Sequence, residues 1–261
     1  MKSLTMCLPP TERSGQPRVL GLLCLGYAAS MLAFRPTLTL LLPTLTKEHG
    51  LRLEDAGLLI SACQVTYMLA KPLFQVSSDV APSSALLVGS ELLTGACFAA
   101  LAVARSRLEL LVLFPAIMAV QAPHAAAVAR VVTNRFPPER RGGAFSCINA
   151  TVNVVSCVVP FVVERGAAAL GWRRLVVSVG AVIALCGGVH ARFAADLAAA
   201  PALKPARDAK RGFGAVVREP VVWGVAAEYA SMYFVRMAVE GWVGTRRLDG
   251  FASAFSTKKH R

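Results

Sequence analysis

Charge is scarce in this chain. Only 16% of its 261 residues are Asp, Glu, Lys or Arg, against about 25% in an ordinary soluble domain. Together with 55% hydrophobic residues and a mean hydropathy of +0.55, that shortage favours a polytopic membrane protein over a globular soluble one. Acidic residues are the scarcest, 15 against 28 Lys and Arg, for a net charge of +13. Nucleic-acid binding would place those cations on a polar face or among exposed aromatics. Here they fall mainly in short segments between apolar runs, so no nucleic-acid partner is read. Enzyme signatures are missing too. There is no Gly-rich phosphate loop ending in Lys-Ser/Thr, no metal-spaced His/Cys cluster and no nucleophile beside a plausible base. The chain therefore reads as neither an enzyme nor an ATP-driven machine, and no cofactor or metal is expected. The seven cysteines contain no CxxC, and six lie in apolar stretches, where a thiol behaves as a small hydrophobe.

What is present is hydrophobic length. A helix crossing a bilayer needs about 20 mainly apolar residues. Six such segments are expected at about 18–44, 55–77, 84–104, 109–132, 144–163 and 174–191, and a weaker seventh at about 220–244, interrupted by Glu228, Arg236 and Glu240. The first is too long for a signal-peptide core and reads as a transmembrane helix. The fold class is thus an all-α membrane protein. Its expected divisions are an N-terminal segment 1–17, a six-helix bundle 18–193, a polar loop 194–219 and the start of a second half at 220–261. Before the seventh segment, Lys and Arg number twelve on the side of the N-terminus and the 194–218 loop and seven on the other side. That bias puts the N-terminus and the loop in the cytosol.

Three cations break the apolar segments. Arg35 lies well inside the apolar stretch 20–45, where a guanidinium costs roughly 2.5–3.5 kcal/mol even after snorkelling and local thinning. Lys71 and Arg236 repeat the anomaly, and the three together suggest a positively charged cavity within a membrane. The alternative for Arg35 is a structural pairing with carbonyls or a carboxylate. For Arg236 it is a pairing with Glu240 one turn on, and for Lys71 it is snorkelling to the cytosolic surface. Glu91 and His124 are candidates for proton or substrate coupling, against a satisfied interhelical hydrogen bond. Arg130, Arg140 and Arg141 are expected at the cytosolic ends of helices four and five as a brace. One internal echo links the two parts of the chain: YAASMLAFR at 27–35 resembles YASMYFVR at 229–236 with one residue gapped, and internal repeats are how two-half transporters are built.

These features resemble the major facilitator superfamily, and within it the organophosphate:phosphate antiporters that carry glycerol-3-phosphate, hexose phosphates and glucose-6-phosphate. The resemblance rests on Phe34, Arg35 and Pro36 followed by Pro43, and on AGLLIS at 56–61 with YMLAK at 67–71. It rests further on RFPPERRGG at 135–143, Asn149 and Asn153 at the family's spacing, Gly171-Trp172-Arg173, and PVVW at 220–223 before Arg236 and Trp242. It implies a phosphate-bearing small-molecule substrate held by Arg35 and Arg236, with Lys71 as a point charge in the cavity field and Asn149 and Asn153 in the cavity. It also implies a twelve-helix carrier of which this chain holds seven helices. Pro36 departs from the second basic residue usual after the first-helix Arg, and Val152 replaces the His of the glycerol-phosphate branch. The rivals to this reading are an organic-anion or sugar-acid carrier of another branch, and a non-transporting truncated homologue.

Overall fold

The computed structural model describes residues 10–33, 35–77, 81–198, 218–224, 227–228, 230–232 and 234–235. The chain divides into two compact units, Met1–Ala200 and Pro201–Arg261. The first unit is built from α1 (Pro10–Ala33), α2 (Arg35–His49), α3 (Leu53–Ser77), α4 (Ser83–Val103), α5 (Arg107–Arg135), α6 (Pro138–Leu170), α7 (Trp172–Arg192) and the short α8 (Ala194–Leu197). In hydrocarbon no water can satisfy a peptide group, so an apolar run of this length must close its hydrogen bonds within itself, as a helix. Among the described residues, six spans are long and apolar enough to cross a membrane, the first of them Gly15–His49, which takes in most of α1 and all of α2.

The helices run past the expected apolar segments. α6 has 33 residues and α5 has 29, about 50 and 44 Å of helix against a hydrocarbon core of about 30 Å. The sequence expectation tracked where residues are apolar, whereas the helix continues into its polar ends once capped. At α5 a capping box starts the helix: Ser106 Oγ accepts from the Glu109 amide at 3.2 Å, and Glu109 accepts from the Ser106 and Arg105 amides. α6 opens on Pro138 at its first position and ends at Gly171, whose φ of +77° turns the chain straight into α7.

α4, α5 and α7 form the interior of this unit. The α4–α7 seam is the tightest. A Cβ on Gly95 would lie 2.7 Å from the Gly180 carbonyl, and one on Gly180 would lie 2.9 Å from that of Gly95. Small residues at a crossing let the two backbones approach, the main source of helix association where lipid is as apolar as protein. α3 packs on α5, and α1 on α6 and α7. The outward faces of α3 and α6 carry exposed apolar side chains such as Met68, Leu73, Val154 and Phe161.

Polar clamps tie both ends. At the N-terminal end of α1, Arg135 donates to the carbonyls of Ala195 and Ala198 at 3.0 and 2.7 Å, and Arg141 donates to those of Phe136 and Thr133. Gln16 donates to the Arg135 carbonyl and accepts from Arg140. At the other end Glu48 accepts from Trp172 and from Arg173, the latter at 2.8 Å, and Arg107 pairs with Asp55 at 2.5 Å. Of the two arginines expected as a brace, Arg141 binds backbone carbonyls and Arg140 binds the Gln16 side chain.

In the second unit, residues 220–224 are helical, with Val221 and Trp223 exposed. Arg236 and Trp242 lie outside the described residues.

Candidate functional site

The apolar core of the first unit is interrupted by a polar layer. On one side of it lies a cluster that includes Ala33, Leu41, Phe98, Leu101, Ile117, Met118 and Ile183. On the other lies one that includes Leu22, Leu23, Leu87, Val128, Val131 and Ile148. Two of the interior helices, α4 and α5, switch polarity between the two. α4 passes from Leu87 through Ser90, Glu91 and Thr94 to Phe98, and α5 from Met118 through Gln121 and His124 to Ala127, all of them buried. Glu91 is the ninth residue of α4, about 12 Å along it, well inside the span.

Glu91 is 1% exposed, His190 0% and His124 3%. The His190 ring bridges two helices: Nδ1 lies 2.7 Å from Glu91 Oε2, and Nε2 lies 2.9 Å from the Leu22 carbonyl of α1. The other Glu91 oxygen, Oε1, is 3.9 Å from His124 Nδ1, too long for a hydrogen bond. That oxygen, both ring nitrogens of His124, both amide atoms of Gln121 and the Thr94 hydroxyl are buried without a hydrogen-bond partner. Tyr27 meets the His124 ring edge-on at 5.1 Å. These orphaned groups line a cavity of about 10 Å³, close to the smallest space that holds one water.

Gly26 makes the cluster possible. A Cβ there would lie 2.5 Å from His190 Cε1, 2.9 Å from Glu91 Oε1 and 3.2 Å from His124 Cε1. All three ionisable side chains therefore converge on Gly26, a position of α1 that has no side chain.

The sequence candidates are distributed unevenly over this architecture. Glu91 and His124 are brought together, and His190, which the sequence reading passed over, completes the group. The missed signal was a His in the last turn of α7, where it looks like a helix-end residue; only packing shows it turned inward. Arg35 is the twenty-first residue of the 35-residue span Gly15–His49, about 5 Å beyond its centre. Lys71 is three residues from the end of the span Glu54–Phe74, half-buried, with Nζ 5.9 Å from the Tyr67 ring centroid. Asn149 and Asn153 are exposed on α6. Arg236 lies outside the described residues. Among the described residues, no group of three or more His, Cys, Asp or Glu is placed to hold a metal ion.

The six apolar spans among the described residues, around a buried polar layer, define an integral, multi-pass α-helical membrane protein. The sequence matches the Major Facilitator Superfamily over residues 23–257, nearly the whole chain, and the protein belongs to that superfamily. Comparison with curated protein sequences returns no match. Among solved structures, the chain is similar to a peptide transporter, POT, in complex with sulfate, with a TM-score of 0.53 and 18% identity. The match covers 85% of this chain and 47% of that one, so the chain spans about half the length of the structure it resembles. At that identity the likeness concerns the fold.

Proposed function

We propose that this chain belongs to a membrane carrier for small organic anions, specifically organic phosphate esters exchanged for inorganic phosphate. The observation that carries this reading is the position of Arg35 in the chain, near the middle of a 35-residue apolar span. A cation at that depth is costly, and a substrate dianion that returns part of the cost gives it a purpose. The planar fork of an Arg side chain matches two phosphate oxygens at once. Arg236, at the end of the internal echo, supplies the second cation from the opposite half. Lys71, near the membrane surface, contributes field and makes no contact with the substrate. Anion binding offsets the repulsion between the two cations, so the loaded carrier reorients more readily than the empty one, which is the logic of exchange.

The test is phosphate counterflow into proteoliposomes loaded with phosphate or a sugar phosphate. Arg35→Lys keeps the charge and loses the fork, and the exchange rate should fall about tenfold or more. Lys71→Arg should stay within about twofold. Equal tolerance of both substitutions would make Arg35 structural. A second reading, a proton-coupled organic-anion carrier, is favoured by the buried Glu91, His124 and His190. It predicts uptake that responds to an imposed pH gradient and needs no internal phosphate.

A further inference from the structure

We propose that Glu91, His190 and His124 form a proton-binding site between α1, α4, α5 and α7, independent of the cargo. The argument begins with the Leu22 carbonyl. A carbonyl only accepts, so the 2.9 Å contact requires His190 Nε2 to carry a hydrogen. The 2.7 Å contact between Nδ1 and Glu91 Oε2 then needs one further proton between them. Either Glu91 is protonated and donates to a neutral ring, or an imidazolium donates to the carboxylate. Both arrangements have zero net charge, and both hold one proton in the same short hydrogen bond. Release of that proton would leave a single negative charge in a layer closed above and below by the two apolar clusters.

His124 gives the site its second position. Its ring is buried with neither nitrogen hydrogen-bonded, and Nδ1 stands 3.9 Å from the unpartnered Glu91 Oε1. Uptake of one proton from water at His124 Nδ1 makes the ring an imidazolium, takes the net charge of the site from zero to +1, and creates a donor facing Oε1. The contact then shortens to a charge-assisted hydrogen bond and draws α5 toward α4. Return of the proton to water reverses both changes. The titratable groups facing this layer among the described residues are Glu91 from α4, His124 from α5, His190 and the Cys186 thiol from α7, and Tyr27 from α1. A proton is favoured over a sodium ion because two of the three facing side chains offer ring nitrogens, and oxygen donors are the ones a hard cation selects.

Nitrogen-15 NMR of the detergent-solubilised full chain, labelled at histidine, tests this. The chain has four histidines, and His124→Gln and His190→Gln assign the two buried rings. The expected result is a His190 ring with Nε2 protonated at every pH, and a His124 signal that changes protonation in a single step absent from His124→Gln. In Glu91→Gln the proton shared with Glu91 is lost, so the His190 ring should be neutral at neutral pH whichever arrangement holds in the parent, and the His124 step should shift to lower pH wherever Glu91 is anionic. A His190 ring with a bare Nε2 would overturn the proposal, as would a His124 ring that keeps one protonation state from pH 4 to 9. If Glu91→Gln does not yield folded protein, the His190 tautomer and the His124 step in the unsubstituted chain still decide. Stabilisation by sodium over choline with no pH-dependent His124 signal would assign the cavity to a metal cation and reject the proton.

Discussion

α4, α5 and α7 on one hand and α6 on the other are comparably apolar, yet the structure uses them in opposite ways, and the less apolar α3 sides with α6. In the most apolar stretches of α4, α5 and α7, 44%, 56% and 44% is buried; in those of α3 and α6 the share is 17% each. Hydropathy does not separate the groups, since α6 at 1.8 is as apolar as α4 at 1.9. What separates them is small residues and buried polarity. The interior helices carry Gly95, Gly180, Glu91, His124 and His190 at their contacts, whereas the exposed surfaces of α3 and α6 carry Met, Leu, Val and Phe. In a bilayer an apolar side chain gains little by turning inward, because lipid is an equivalent solvent. Close backbone approach and the Glu91–His190 hydrogen bond therefore mark the interior.

That contrast orders the expected effects of substitution, and each result can break it or sharpen it. The largest belongs to the buried pair. Removing His190 alone, as His190→Leu, strands the Glu91 carboxyl and should destabilise the unit by about 3 kcal/mol, read as loss of the folded fraction in a detergent-denaturation series. Replacing both partners by Leu should recover much of that loss. A double variant as unstable as the single one would mean that packing, and not charge pairing, holds α4 to α7.

Next comes the seam. Gly95→Leu or Gly180→Leu must push the two backbones apart and should cost about 1–3 kcal/mol. Gly89→Leu on the same α4, with open space at its Cβ, serves as the control. Gly26→Ala falls in the same range and carries a second signature, a changed His190 tautomer. A stability loss with an unchanged His190 spectrum would show that α1 shifts bodily and the cluster stays intact.

Smaller still is the end clamp. Arg135→Ala removes two hydrogen bonds to the carbonyls of Ala195 and Ala198 and should cost about 1 kcal/mol, measured by thermal melting. At the bottom of the order, Met68→Ala and Leu69→Ala on α3 should stay within about 0.5 kcal/mol, since both side chains are more than half exposed. A loss as large as that at Gly95 would show that this surface of α3 is packed against protein in the membrane.

Much of the architecture was open to the sequence. Runs of about 20 apolar residues leave the backbone only a helix, so six spans and the membrane setting followed from length and composition alone. Arg35 stood out because a cation inside an apolar run is visible without any fold, and the superfamily could be recognised from motifs along the chain. Helix ends were less legible: α5 and α6 extend into polar sequence because caps and prolines, not hydropathy, set their limits. Glu91 and His124 could be singled out as polar residues in apolar segments, but nothing along the chain joined them. His190 sits 99 residues from Glu91 and 168 from Leu22, and neither separation carries a motif. Only the tertiary structure decided that these groups meet at Gly26. A hydrogen bond depends on distance and direction in space, and contacts between helices are chosen by side-chain shape and polarity, which apolar periodicity does not encode.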